Sequence, residues 1–336
     1  MDSFSGIGAR CAHIVISVIA SLTVAALMPF IAGCIHMPQT TALDASLPRT
    51  VINGYPFHTE VYGGENLPVV IVLHGGPGGD FTYLRPLKAL ADEYRVIFYD
   101  QRGTGLSARE STDRHTFDLF VEDLDALVDY YGNGRPVRLI GHSFGGMLVT
   151  VYISRHGEKV SHAAVAEPGI LTPEAHTAFL ARWNGSMTLW SKAKAVPYFI
   201  AALFVRREDG HETKDYIMTK MLGSGNNPLY QCEGSAAPAE SAFRRAGSAS
   251  LESMLPYMNG EKPWHFNLTA GVERYSGKLL MLSGECSFIG YDFQERYHRA
   301  SLPAAARHVL MKKTGHDMVS ERPEETVALL REFLRD

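Results

Sequence analysis

The sequence has few cysteines and no concentration of positive charge, and each absence excludes a class of protein. Four of the 336 residues are cysteine, and no two are spaced as Cys-x-x-Cys. A disulfide-built scaffold and a cysteine-ligated zinc site are therefore not expected. Lysine and arginine form no dense block and the formal net charge is −4. A nucleic-acid partner therefore has no electrostatic support.

What the chain does contain indicates a folded globular protein. Hydrophobic residues make up 46% of the sequence and charged residues 20%, which is a globular rather than a disordered composition. The sequence shows neither an internal repeat nor a low-complexity tract. The length suits one large domain, or one domain that carries an insertion.

The first 33 residues are predicted to be a signal peptide rather than part of the fold. Residues 14–33 contain no charged side chain, follow Arg10 and end in small residues, which is the layout of an export signal. The stretch is also just long enough to cross a bilayer. An uncleaved membrane anchor therefore remains the alternative.

The end of this segment, Ile31-Ala32-Gly33-Cys34, resembles a bacterial lipobox. The resemblance implies that Cys34 becomes the lipidated first residue of a lipoprotein. Both interpretations place the globular part in the cell envelope, attached to a membrane and facing the periplasm or the exterior. The polar segment 34–48 is then predicted to be a tether. Cys232 and Cys286 remain as a possible disulfide in an oxidising compartment.

From residue 49 onward, short apolar runs alternate with helical segments. Asn53-Gly54 between two extended runs predicts a hairpin. Apolar residues spaced as in an amphipathic helix lie between 117 and 131, and a last helix is predicted from Pro323. Such alternation predicts a mostly parallel sheet that is covered on both faces. Runs typical of buried strands lie at 68–73, 95–99, 137–140, 161–166, 278–283 and 306–311.

This alternation stops between residues 170 and 267. Helical patterns appear there at 173–183, 196–205 and 213–222, without a convincing strand. The interruption predicts a helical cap inserted between two parts of an α/β core, residues 49–169 and 268–336.

Ser143 is the predicted nucleophile. The apolar run 137–140 leads directly into Gly141-His142-Ser143-Phe144-Gly145-Gly146, and an apolar helical segment follows. This is the Gly-x-Ser-x-Gly pattern in the strand–turn–helix context that a nucleophile elbow requires. The glycines are expected because the strained turn leaves no room for larger side chains.

Three motifs make the chain resemble the α/β-hydrolases, above all the proline iminopeptidase branch, over residues 50–336. They are HGGPGG at 74–79, DQRGTGLS at 100–107 and GHSFGG at 141–146, and Gly315-His316 before a helix completes the set. The resemblance implies an α/β-hydrolase fold, with an eight-stranded, mostly parallel sheet, helices on both faces and an inserted helical cap. It also implies an oxyanion hole formed by the backbone N–H groups of Gly76 and Phe144. DQRGTGLS is expected to support the loop beneath the site.

His316 is the predicted general base. It follows the last apolar run and precedes the last helix, and the chain order Ser, acid, His is that of the α/β-hydrolase fold. A neutral imidazole can accept the proton of Ser143 and pass it to the leaving group. His74 and His142 are expected to be parts of the scaffold.

The acid is not where the family usually has it. In this fold a carboxylate typically follows the strand after the cap, in a Gly-x-x-Asp turn, and the matching position here is Ser287. Glu167, 24 residues after Ser143 at the end of the run 161–166, is the predicted acid. Some relatives, such as haloalkane dehalogenases, keep a glutamate at that place. Glu285 and Asp292 remain alternatives, as does the absence of any acid.

An activated serine, a base and two N–H donors specify acyl transfer to water through an acyl-enzyme, without a cofactor or metal ion. The resemblance favours a peptidase acting on a small molecule or a short peptide. The elbow Gly-His-Ser-Phe-Gly is common in esterases, so an esterase, thioesterase or lactonase is the alternative. A catalytically silent scaffold that binds a ligand at the cell envelope is a further possibility, based on the missing aspartate.

The cap is expected to select the substrate. Five of its acidic residues could hold a substrate amine: Glu208, Asp209, Glu212, Glu233 and Glu240. Five of its aromatic residues could line a pocket or form the core of the cap: Trp183, Trp190, Tyr198, Phe199 and Phe204.

Overall fold

A computed structural model describes residues 34–183, 196–222, 230–232 and 243–335. Eight strands form one sheet in the order β1-β2-β4-β3-β5-β6-β7-β8. The pairs β1–β2 and β2–β4 are antiparallel and the other pairs are parallel. The predicted α/β-hydrolase sheet is therefore confirmed. In chain order the strands are Arg49–Ile52, Tyr55–Tyr62, Val69–Leu73, Arg95–Tyr99, Val137–His142, Val160–Ala166, Lys278–Gly284 and Arg307–Met311.

Apolar side chains cover both faces of the sheet, because successive residues of a strand point to opposite sides. On β3, Ile71 and Leu73 pack with the helices Phe117–Gly132 and Phe144–His156. Val70 and Val72 pack on the other side, with the 3₁₀ segment Phe81–Leu90 and the last helix, Pro323–Arg335.

The predicted hairpin joins β1 and β2. Ile52 pairs with Tyr55 across a two-residue turn in which both Asn53 and Gly54 have positive φ angles, +51° and +76°. Asn-Gly is the pair that adopts such a turn most readily, which is why the local sequence predicted it.

Helices separate β6 from β7, in the region predicted to be a cap. The described ones are Pro173–Trp183, Val196–Ala202, Glu212–Leu222 and Ser248–Met258. The sequence did not predict the fourth, whose short apolar pattern is interrupted by Pro256 near its end.

The segment 34–48, predicted to be a tether, is held against the fold instead. Ile35 N–H donates to Phe204 O over 3.0 Å, and Thr41 N–H donates to Leu106 O over 2.7 Å. Thr41 also donates its hydroxyl to Pro56 O. The segment is therefore held through its backbone and the Thr41 hydroxyl, which its polar composition did not indicate.

The predicted signal peptide, residues 1–33, lies outside the described residues, and its boundary at Cys34 stays a prediction. Within the part of the chain that the structure describes, no helix has the length and apolar character needed to cross a membrane.

Cys232 and Cys286 form a disulfide with their Cα atoms 5.1 Å apart. The pairing of the two remaining cysteines was thus correctly anticipated. It joins the segment 230–232, between cap helices, to the loop that follows β7.

Candidate active site

Ser143 lies at a sharp turn between β5 and the helix Phe144–His156, with φ 54° and ψ −116°. Its N–H donates to Ala166 O over 2.9 Å, so the turn is fixed to the end of β6. A Cβ on Gly141 would lie 2.3 Å from Gly145 O, and one on Gly145 would lie 2.3 Å from Leu73 O. Only glycine fits these two positions, as the elbow pattern predicted.

The HGGPGG loop lies directly against the predicted nucleophile. A Cβ on Gly75 would come within 2.9 Å of Ser143 Cβ. Gly76, with φ +136°, follows in the same loop, where a Cβ would clash with the nitrogen of Gly78. Phe144 is the first residue of the elbow helix, so its N–H has no partner within that helix. Phe144 thus follows Ser143 in the chain, and Gly76 follows the glycine that contacts Ser143; their role as oxyanion donors stays a prediction.

His316 contacts the elbow through its neighbour His142. The two rings lie 4.8 Å apart, and His142 Nε2–H donates to His316 O over 2.8 Å. Burial lowers the pKa of His316 to about 3, so its ring is neutral at physiological pH. Nδ1 lies 3.2 Å from Glu167 Oε2 and must carry the hydrogen that it donates to the carboxylate. Nε2 therefore keeps its lone pair and can accept a proton.

Glu167, which follows β6, has a fully buried carboxylate. Its N–H donates to Leu282 O over 2.8 Å, which ties it to β7. Burial raises the pKa of Glu167 to about 7, while hydrogen bonds to the carboxylate act in the opposite direction. The carboxylate accepts these from the Ser287 hydroxyl, from Gly284 N–H and, over 3.0 Å, from Gln294 Nε2.

The alternative acids lie elsewhere. Glu285 is exposed, and Oε2 of its carboxylate accepts from Lys313 N–H over 2.7 Å. Asp292 is also exposed. Among the described side chains, the carboxylate that pairs with His316 is that of Glu167.

Tyr83 connects the oxyanion loop to the nucleophile elbow, and the sequence did not reveal it. Its hydroxyl accepts from Gly75 N–H over 2.7 Å and donates to His142 Nδ1 over 2.6 Å. His142 Nε2 donates its hydrogen to a carbonyl, so Nδ1 of the neutral ring carries no hydrogen and must accept one from Tyr83. Burial lowers the pKa of His142 to about 3, which keeps this ring neutral. His142 is thus placed as a scaffold residue, as expected.

The motif DQRGTGLS supports the oxyanion loop through His74. Gln101 N–H donates to His74 Nε2 over 3.0 Å, and the Gln101 side-chain amide donates to His74 O over 2.8 Å. His74 is fully buried, and burial lowers its pKa. Asp100 accepts from Leu106 N–H over 2.8 Å, which closes the motif on itself. These contacts fit the structural role expected for the motif.

Tyr230 covers the other side of His316. Its carbonyl accepts from His316 N–H over 2.6 Å, and the two rings lie 5.2 Å apart. Phe288 lies 4.8 Å from the same imidazole. The disulfide of the neighbouring Cys232 holds this aromatic cover in place.

Of the five acidic residues of the cap that could hold a substrate amine, the three that the structure describes are engaged with other groups of the protein. Glu208 pairs with Arg206 at 3.0 Å, and Asp209 pairs with the buried Arg245 at 2.8 Å. Glu212 accepts from the N–H groups of Glu208 and Gly210, over 2.8 Å and 3.0 Å. Glu233 and Glu240 lie outside the described residues.

The aromatic residues expected to form a pocket or a cap core are more exposed than that expectation implied. Phe199 is exposed, and Tyr198 and Phe204 are half-buried. Trp190 and the side chain of Trp183 lie outside what the structure describes. No group of three or more His, Cys, Asp or Glu within the described ranges could hold a metal ion.

The arrangement has the groups that a serine nucleophile requires. Ser143 is partly exposed, whereas His316 and Glu167 are buried, so a substrate can reach the hydroxyl while the hydrogen-bonded histidine and glutamate are shielded from water. The neutral imidazole can take the hydroxyl proton, and the carboxylate can stabilise the imidazolium that results.

Comparisons with known proteins identify the family. The family described as alpha/beta hydrolase fold matches residues 68–193. A proline iminopeptidase of Heyndrickxia coagulans is 40% identical over 278 residues, which cover 79% of this chain and 90% of the relative.

Two solved structures share the fold. The proline iminopeptidase of Mycobacterium smegmatis has a TM-score of 0.59 and 21% identity, and the match covers 86% of this chain and 98% of that one. An enol-lactonase from Burkholderia xenovorans LB400 has a TM-score of 0.58 and 19% identity, with 86% and 100% covered. On the sequence match above and this fold, the chain belongs to the α/β-hydrolase superfamily, among the proline iminopeptidase-like serine hydrolases.

Proposed function

We propose that this hydrolase removes the amino-terminal residue from short peptides, as a proline iminopeptidase does, through an acyl-enzyme on Ser143. Ser143 Oγ attacks the scissile carbonyl while His316 Nε2 takes the hydroxyl proton. The N–H groups of Gly76 and Phe144 stabilise the oxyanion. The C–N bond then breaks, and His316 returns the proton to the leaving amine.

Water completes the reaction. His316 takes a proton from a water molecule that attacks the acyl-enzyme, and the proton passes to Ser143 Oγ as the ester bond breaks. Throughout, the ionised Glu167 faces the imidazolium. Its role is electrostatic, since a neutral group at the same place would leave the buried positive charge uncompensated.

The observation that carries the proposal is the 3.2 Å contact between Glu167 Oε2 and His316 Nδ1. The silent-scaffold alternative depended on the serine at position 287. A buried carboxylate on the imidazole removes that argument, because it provides the charge that the serine lacks.

The test is a panel of aminoacyl naphthylamides and p-nitrophenyl esters, with Ser143→Ala as the blank. The proposal predicts that substrates with a free amino-terminal proline or another small residue are cleaved, and that amino-terminal acetylation abolishes cleavage. Turnover of the esters with no cleavage of any naphthylamide would contradict it.

A second candidate, an esterase or lactonase, is favoured by one observation. Glu208, Asp209 and Glu212 are already engaged within the cap, so these three are not available for a substrate amine. In this case, esters without an amino group would be the better substrates in the same panel.

We also propose that the chain is exported and attached to a membrane through lipidated Cys34. The lipobox-like tetrad supports this, as does the exposed position of Cys34. Cys34→Ser should block maturation of the precursor. Fractionation of cells that express both forms is the measurement, and wild-type protein that lacks lipid on Cys34 would contradict the proposal.

A further inference from the structure

An exposed apolar face lies on the cap helix Val196–Ala202 and the residue that follows it. Val196 and Phe199 are each 53% exposed, Ile200 is 56% exposed and Leu203 is 57% exposed. Their spacing of three, four and seven residues puts them on one side of the helix. These four, here called the apolar cap face, are a contiguous group, unlike the single exposed apolar residues that are ordinary on protein surfaces.

The opposite side of this helix is well packed. Ala202 and Val205 are buried in a small cluster with Tyr216 of the helix Glu212–Leu222. Ile35 and Met37 pack against the same cluster. The helix is therefore apolar on both sides, and packing against the described residues accounts for only one of them.

The amino-terminal segment is joined to the end of the same helix. Ile35 forms a bridge with Val205, in which Ile35 N–H donates to Phe204 O over 3.0 Å and Arg206 N–H donates to Ile35 O over 2.9 Å. Arg245 donates to Pro38 O over 3.0 Å and fixes the segment further along. Cys34 therefore lies within about 10 Å of Leu203, from the spacing of paired strands and of successive Cα atoms.

The sequence upstream of this point is apolar enough to enter a lipid bilayer. Residues 14–33 form an uncharged stretch of twenty residues, and the tetrad that ends it resembles a lipobox. Whether acyl chains on Cys34 or the stretch itself enters the bilayer, the point of entry lies beside the apolar cap face. Two exposed arginines follow that face: Arg206, which pairs with Glu208, and Arg207, whose side chain can contact lipid phosphates.

We propose that the apolar cap face inserts into the interface of the membrane that holds the amino terminus, and that it provides a second contact with the bilayer. A helix with exposed aromatic and aliphatic side chains beside arginines is suited to the headgroup–acyl boundary. The contact rests on the proposed attachment at residue 34 and makes no use of the catalytic groups. It fixes the orientation of the cap relative to the membrane.

Quenching of tryptophan fluorescence by lipid tests this contact. Full-length protein is purified from membranes and reconstituted into phosphatidylcholine–phosphatidylglycerol vesicles that contain doxyl-labelled acyl chains. The variant Phe199→Trp reports on the face, and Tyr130→Trp is the control, because Tyr130 is 62% exposed on a helix of the core. The emission of the parent protein, with its native tryptophans, is subtracted from each.

The tryptophan at position 199 should lose most of its emission and shift to the blue, whereas the control should do neither. Adding Ile200→Glu should restore the emission at position 199, and Val51→Glu, at a 58% exposed site on β1, should not. Unchanged hydrolysis of a soluble substrate verifies that each variant is folded.

Protein that stays with the vesicles without selective quenching at position 199 overturns this contact and leaves the membrane attachment intact. Protein that does not associate with vesicles overturns both. A blue shift that depends on protein concentration, without quenching by lipid, would identify a second copy of the chain as the occupant and would equally overturn the proposal.

Discussion

Ser287 stands where relatives usually carry the triad aspartate, and its hydroxyl donates a hydrogen bond to Oε2 of Glu167. The same oxygen faces Nδ1 of His316. The carboxylate beside His316 thus comes from the end of β6, and the loop after β7 supplies a hydrogen-bond donor to it. This arrangement explains how the site keeps a charge beside His316 without an aspartate at position 287.

Replacement of Glu167 by glutamine should show how much of the rate depends on the negative charge of this side chain rather than on its size. The amide has nearly the same size but cannot stabilise the imidazolium, so kcat should fall by a factor on the order of 10²–10⁴. Steady-state kinetics on the best substrate of the panel measures this. Adding Ser287→Asp should restore part of the rate by returning a carboxylate to the usual position. A Glu167→Gln enzyme with wild-type kcat would refute the assignment of the acid.

The pH profile should report the ionisation of Glu167. With its pKa near 7, the carboxylate becomes protonated as the pH falls, and kcat/KM should decrease below about pH 7. The neutral His316 does not produce this decrease, because its pKa is lowered to about 3. The pKa read from the profile is that of the interacting pair Glu167 and His316 rather than of either residue alone.

Ser287→Ala should move this acidic decrease to higher pH. The hydroxyl hydrogen bond favours the ionised carboxylate and lowers the pKa of Glu167, so its loss raises that pKa. Because a hydrogen bond to a charged group is lost, kcat/KM of the Ser287→Ala variant at pH 6 should be about tenfold lower than that of the wild type. Ser287→Thr, which keeps the hydroxyl, is the control. Profiles that coincide for alanine and wild type would exclude a role of Ser287 in holding the charge.

Removal of the hydroxyl of Tyr83 should weaken both stability and turnover. Tyr83→Phe leaves Gly75 N–H and His142 Nδ1 without their present partner in a buried place. The free energy of unfolding should decrease by about 1–3 kcal/mol, as measured by urea denaturation. The decrease in kcat should exceed the change in KM, since the lost contact joins the oxyanion loop to the nucleophile elbow. An unchanged kcat would show that this link does not position the site.

Loss of the disulfide should loosen the cover over His316. Cys232 and Cys286 are 54 positions apart, and opening a loop of this length should lower the free energy of unfolding by about 2–4 kcal/mol. Tyr230, two residues from Cys232, accepts from His316 N–H, so activity should decrease in the Cys232→Ser/Cys286→Ser double variant. Equal stability and activity with and without the bridge would contradict this prediction.

The features predicted from the sequence are those set by local residues. The elbow around Ser143 depends on glycines a few positions away, and the turn at Asn53-Gly54 depends on two residues. Glu167 was predicted from its place at the end of the run 161–166 and from the glutamate that some relatives keep there; it reaches His316 because strand ends of a parallel sheet meet at one edge. In the elbow and in the hairpin turn, the signal and the structure it specifies lie close together in the chain.

The features that were not predicted depend on contacts between distant residues. Gln294 donates to Glu167 across 127 positions, and no motif marks it. The segment 34–48 looked like a tether because it is polar, but its backbone forms hydrogen bonds with Leu106 and Phe204, which are distant in the chain. Tyr83 follows HGGPGG closely in sequence, but its link to His142 arises only once the two loops meet.

Covalent labelling tests the central claim, that Ser143 is activated by His316 and Glu167, most directly. The full-length enzyme is treated with a fluorophosphonate and digested, and the modified peptide is identified by mass spectrometry. We expect one phosphonyl group on Ser143, strongly slowed labelling in His316→Ala, and none at this peptide in Ser143→Ala. Unmodified Ser143 in an enzyme that hydrolyses its substrate, or equal labelling of the His316→Ala protein, would contradict the account.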